Sequence, residues 1–170
     1  MASAEFQLKT LAKEAIPAAI KRAEHYRLLN ESSPAESICL DVLEVEPENQ
    51  QVLVTLLLAL TDQFDHYTSG LFKKACEVLP RIHDEYSRAY YEGIIWERRA
   101  KAQAQRANPG SGHSAYDSYI RAMECFEKAL PIRPPGNDDA ILRWNNCART
   151  IMRKRELRPA PEDAFTTWLE

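Results

Sequence analysis

Three segments of this chain end alike: SICLDVLEVEP (37–47), GLFKKACEVLP (70–80) and ECFEKALPIRP (124–134). In each, a bulky or soft residue is followed three positions on by a small or β-branched one, and proline comes five positions later. The triplets are Cys39, Val42, Pro47; then Phe72, Ala75, Pro80; then Phe126, Ala129, Pro134. Residues three apart share one face of a helix, and proline cannot continue one. Each segment therefore reads as the end of a helix that buries that face. The first two copies lie 33 residues apart, Cys39 to Phe72. A recurrence of this size marks stacked supersecondary units, none of which can bury its apolar face alone.

The rest of the chain agrees. Apolar residues recur at i, i+3, i+4 and i+7 and nowhere alternate in the period of a strand, so the fold class is all-α. The punctuation is local. NESSPAE places Ser33 before Pro34 with Glu36 three residues after the serine, a capping box with proline at the first helical position. EPEN (46–49), LPRIHDE (79–85) and RPPGND (133–138) mark further breaks. Pro17 starts a new helix after a short separate one. Connections this short make sequential helices antiparallel neighbours.

The repeated pattern resembles the tetratricopeptide repeat family, whose units are helix-turn-helix with an aromatic-small signature in helix A and Ala…Phe…Ala…Pro in helix B. The matching helix A pieces are RAEHYRLL with Ala23 and Tyr26, AYYEGIIW with Gly93 and Trp96, and LRWNNCARTI with Trp144 and Ala148. The helix B alanine is matched by Ala35 and Ala122, whereas Thr68 replaces it in the second copy. The resemblance implies one domain forming an α-α superhelix, with an N-terminal helix at 3–15, units at about 16–48, 49–82 and 86–136, and a C-terminal helix and tail at 137–170. The third unit carries about 20 residues more than the repeat needs. They fall mostly between Trp96 and Tyr119. The stretch ERRAKAQAQR is rich in strong helix formers. It should prolong helix A into an overlong hairpin, with helix B starting at Ser114, which has Asp117 three residues on. Gly93 within helix A costs about 1 kcal/mol against alanine, so close packing against helix B is its expected reason.

Composition narrows the function classes. The 170 residues carry a net charge of −3, which gives no general attraction to nucleic acid or anionic membrane. The longest apolar run, VLVTLLLAL (52–60), is too short to cross a bilayer. The N-terminal stretch lacks the apolar centre of a signal peptide, so a cytoplasmic location is expected. Cys39, Cys76, Cys125 and Cys147 form no C-x-x-C pair and sit in apolar helical patterns, which reads as small buried hydrophobes rather than redox or zinc chemistry.

Little in the chain reads as catalytic. ANPGSGHSAY (107–116) concentrates glycine, serine and histidine. Yet it has no lysine for a phosphate loop and no preceding strand for a nucleophile elbow. It reads as a helix-helix turn in which Asn108, Pro109, Gly110 and Gly112 set the backbone. His25, His66, His83 and His113 lie on separate units with no histidine at helical metal-pair spacing, and no nucleophile-base pair is evident. No cofactor is expected. RTIMRKRELR (149–158) carries Arg149, Arg153, Lys154, Arg155 and Arg158 against Glu156. It lacks interleaved aromatics for base stacking and reads as a solvated basic face on the last helix, with nucleic-acid binding a lesser alternative. RRAKAQAQR is a second basic strip.

Helix A of a tetratricopeptide unit lines the concave face. The resemblance places Leu53, Leu57, Leu60, Tyr90, Ile94 and Glu97 in an apolar concave groove, with Glu24, Arg27 and Arg149 flanking. The implied function is a non-catalytic protein-interaction module or scaffold that binds a protein or peptide segment there. The alternative is a homodimer or larger homo-oligomer, or the chain's own ends (LKTLAKEAI and DAFTTWL), filling the groove. If the groove is open, Leu57→Glu removes partner capture while the fold survives. Some family members grip a C-terminal carboxylate with Lys, Asn and Arg in helix A. Here Asn146 and Arg149 are isolated candidates, and that clamp is not carried over.

Overall fold

The computed structural model describes residues 6–65, 70–106 and 108–161, and among these all regular structure is helical. The helices are α1 (Ile16–Leu28), α2 (Ser32–Val45), α3 (Gln50–Thr61), α4 (Leu71–Val78), α5 (Glu85–Gln105), α6 (Ser111–Ala129) and α7 (Asp139–Arg153). Short 3₁₀ turns precede α1 and follow α4 and α6.

The helix ends follow from identifiable residues. Pro17 sits in the first turn of α1, where no backbone N–H is needed. The expected helix at 3–15 does not form over residues 6–12; only Lys13–Ala15 makes a 3₁₀ turn before α1. Asn30 adopts a left-handed conformation at φ 59° and closes α1. The Asn30 N–H donates to the Arg27 carbonyl, and the Glu31 N–H to the Tyr26 carbonyl at 2.9 Å, which is the Schellman closure. The capping box at Ser33 is not made. α2 starts at Ser32, two residues before the expected first helical position, no side chain caps it, and Pro34 lies inside the first turn. Asn49 caps α3 by accepting from the Val52 N–H, and Asp84 caps α5 by accepting from the Ser87 N–H.

Sequential helices pack as neighbours, and α3 also touches α1 and α5. α3 is thus enclosed by four helices. That accounts for its apolar circumference. Two core clusters result. One is built mainly on α1 to α4, the other on α5 to α7, and Leu58 and Tyr91 pack against both. α5 and α6 are the longest helices, with 21 and 19 residues, so the overlong third hairpin is present. Its extra turns are not bare: Ala100, Ala102, Ala115 and Ser118 are buried.

The hairpin tip differs from its expected form. α6 starts at Ser111, behind Gly110 at φ 81°, rather than at Ser114. Gly112 belongs to the helix, not to the turn. A β-carbon there would strike the backbone oxygen of Glu156. The basic tail leaves α7 at Lys154, buries Leu157, and brings the Arg158 carbonyl within 2.8 Å of His113 Nδ1. Because a carbonyl only accepts, Nδ1 carries the hydrogen. The tail is therefore packed against the start of α6 rather than continuing a solvated helix. His66, Thr68 and the segment DAFTTWL lie outside the described residues.

Candidate functional site

The expected groove is not an open surface. Leu53 and Leu57 are 0% exposed, Leu60 2% and Ile94 1%. They fill the core because α1, α2, α4 and α5 all close over α3. Tyr90 is half-buried and stacks on Tyr86 with centroids 5.8 Å apart. Arg149 is exposed and stands apart from the cleft described next. Of the expected groove residues, only Glu97 lies at a cleft, with Tyr90 bonded to its wall.

That cleft, of about 450 Å³, lies between α5 and α7. α5 contributes Glu97, Arg98 and Lys101. α6 places Tyr119 at the floor. α7 contributes Arg143, Asn146, Thr150 and Arg153, and Lys154 follows at its end. The α7 residues follow helical spacing along one stripe. The adjoining, apolar side of α7 carries Ala140, Trp144, Cys147 and Ile151, which pack into the second core cluster. Lys and Arg at the end of α7 also face the unpaired carbonyls of its last turn, where cations are favoured.

Glu97 is 6% exposed. A carboxylate so buried requires compensation, and two α7 side chains supply it. Asn146 Nδ2 donates to Oε1 at 3.1 Å, and Arg143 Nη1 lies 3.4 Å from Oε2. Arg143 Nε also reaches the Tyr90 hydroxyl at 3.4 Å. Burial opposes the Arg143 charge, but the Tyr90 hydroxyl and Glu97 outweigh it and its pKa ends raised. Arg98 Nη1 donates to Asp62 at 2.7 Å, and Arg27 Nε donates to the other oxygen of Asp62 at 2.9 Å. Asp62 thus ties α1, the end of α3 and α5 together beside the cleft.

Within the second basic strip Arg99 stacks on aromatic rings, as does Arg121 of the facing helix. The Arg99 guanidinium lies 4.0 Å from the Phe72 ring centroid and 5.2 Å from that of Trp96, while Arg121 lies 4.7 Å from Trp96. These are cation-π distances. They leave Lys101 as the member of the strip that faces the cleft together with Arg98.

The cleft can bind and orient but shows no nucleophile beside a base. Its five cations face one carboxylate, which is already engaged by Arg143 and Asn146. Among the described residues no three His, Cys, Asp or Glu side chains gather as a metal site. Cys39, Cys125 and Cys147 are buried, and burial pushes each thiol up to about 12. Cys76 is half-buried and its thiol is also raised by burial. Sequence reasoning marked Glu97, Asn146, Arg153, Lys154 and, within the second basic strip, Arg98 and Lys101, but not Tyr119, Arg143 or Thr150. The usable signal was the spacing of Arg143, Asn146 and Thr150, which puts them along one side of α7.

None of the described helices is long and apolar enough to cross a membrane. No family model, curated protein or solved structure matches the chain, so its resemblance to tetratricopeptide repeats stands on the residues that carry the repeat.

Proposed function

We propose that this chain is a non-catalytic, cytoplasmic protein-interaction module of tetratricopeptide-like hairpins, and that it holds an acidic segment of a partner protein in the cleft between α5 and α7. The observation that carries this reading is local charge reversal. A chain with net charge −3 gathers Arg98, Lys101, Arg143, Arg153 and Lys154 around one concavity, against the single carboxylate of Glu97. Such a field steers an oppositely charged partner and sets its orientation. Contacts of α3 with α1 and α5 support a stacked-hairpin superhelix. The buried leucines of α3 lie in the core and are not part of the cleft's contact surface.

The test compares capture of native partners by wild type and by Lys101→Glu/Arg153→Glu. Both positions are exposed, so the fold should survive. Loss of the captured proteins, with unchanged circular dichroism, supports the reading. Unchanged capture removes the cleft as the binding site.

Self-association is the second reading, favoured by one feature. Leu142 on α7 is 65% exposed, and an apolar slot lined by Leu130, Ile141 and Trp144 lies nearby. Light scattering decides: a strict monomer excludes this reading, and a dimer broken by Leu142→Asp supports it.

A further inference from the structure

The cleft contains more positive charge than its own carboxylates use. Arg98 is paired with Asp62, and Arg143 with Glu97. Lys101, Arg153 and Lys154 make no ion pair among the described residues; Arg153 Nε donates only to the Arg149 carbonyl at 3.2 Å. A single carboxylate would leave most of this excess unmatched. A phosphate monoester brings about −1.5 to −2 charges and three acceptor oxygens.

A second, independent feature lies at the floor. Tyr119 is 5% exposed, and its hydroxyl makes no hydrogen bond with the described residues although it lines the cleft. The ring is buried but the hydroxyl itself is not a buried orphan, since no side-chain polar atom among the described residues is both buried and unpartnered; the direction open to it is the cleft. Burial pushes the Tyr119 phenol up to about 12, so it stays a donor and never adds negative charge at neutral pH. Asn146 and Arg143 hold Glu97, the one acid that faces an incoming anion, at 3.1 and 3.4 Å.

We propose that the cleft between α5 and α7 receives a phosphorylated side chain of the partner segment, with the Tyr119 hydroxyl donating at the floor and Lys101, Arg153 and Lys154 closing on the phosphate oxygens. Charge-assisted donors arranged around a dianion are the usual means of phospho-motif recognition. Nucleic acid fits less well. The one aromatic of the cleft is buried at its floor, leaving no exposed ring on which bases stack. This inference rests on the cleft being the module's binding site.

The experiment measures fluorescence anisotropy at physiological salt with four labelled probes. They are a peptide pool with random flanks and a fixed phosphoserine, the same pool with serine, a single-stranded RNA, and vesicles containing phosphatidic acid. The expected result is binding of the phosphoserine pool at least about tenfold tighter than the serine pool. Lys101→Glu/Arg153→Glu should abolish it, and Tyr119→Phe should weaken it several-fold without altering the thermal melt. Equal binding of the two pools overturns the phosphate inference. If charge reversal then also abolishes capture of the native partners, the acidic-segment reading stands without it. Tighter binding of RNA or vesicles than of the phosphoserine pool, or binding unaffected by charge reversal, also overturns the inference.

Discussion

Gly93 of α5 faces Phe126 of α6 so closely that no β-carbon fits between them. A methyl at Gly93 would fall on Cε1 of the ring and within 2.7 Å of Cδ1 and 2.9 Å of Cζ. Phe126 is fully buried and cannot swing away. Gly93→Ala gains about 1 kcal/mol of helix propensity but incurs overpacking of about 1–3 kcal/mol. The expected net loss is about 1 kcal/mol, a fall in Tm of roughly 2–4 °C. Adding Phe126→Leu should restore part of the loss attributable to the clash, which calorimetry on the single and double variants checks.

Leu57→Glu should leave no folded protein. Leu57 is enclosed by the core, and an unpaired charge there costs several kcal/mol, comparable to the whole stability of a domain. The expectation that this variant folds but loses its partner is withdrawn, because α3 presents no open face there. Leu57→Ala should fold with a loss of about 2–5 kcal/mol. Urea titration distinguishes the two variants.

Asp62→Asn should separate stability from binding. Asp62 accepts from Arg27 and Arg98 across three helices. The pairs are partly exposed, so the expected loss is modest, about 1 kcal/mol. The same change frees the Arg98 charge beside the cleft. Affinity for the phosphoserine pool should rise, with a steeper dependence on salt, as read by anisotropy at two ionic strengths.

The cap of α5 should give an acid-dependent stability. Asp84 accepts from the Ser87 hydroxyl at 2.7 Å and the Ser87 N–H at 2.8 Å, and these bonds hold its carboxyl below the usual value. A depressed carboxyl stabilises the fold fully above the unfolded pKa, about 3.9. That stability fades as pH falls from there through the lower folded value. Asp84→Ala should cost about 1 kcal/mol at neutral pH and less below pH of about 3. Asp84→Asn should keep most of the cap and lose this part of the acid dependence. Urea midpoints measured across that range give the result.

Gly112→Ala should detach the tail. Its β-carbon would displace the Glu156 backbone, freeing Leu157 from its buried site and breaking the contact between His113 and Arg158. Trypsin should then cut within 153–158 faster than in wild type, while the melting temperature changes little. Unchanged cleavage would mean that the tail is held by other contacts.

Much of the chain was legible because helical periodicity and proline act locally. The spacing of Cys39, Val42 and Pro47, and of Phe126, Ala129 and Pro134, fixes where helices run and stop, since a helix face and a missing N–H need no distant partner. Asn49 and Asp84 announce their helices for the same reason. Local signals failed where a neighbour in space decided. Ser33 and Ser114 look like caps, yet the chain enters helix before each of them. Gly112 reads as a turn residue, yet it is kept small by the backbone of Glu156, 44 positions away.

The candidate site divides in the same way. The basic strips and the polar stripe of α7 are written in the sequence, as is the all-round apolar character of α3. Which cations pair with Asp62 or stack on Phe72, which ones remain to face the cleft, and that Leu53 and Leu57 lie inside were decided by packing. Periodicity states which side of a helix is apolar. Only the arrangement of the other helices determines whether that side meets core, partner or water.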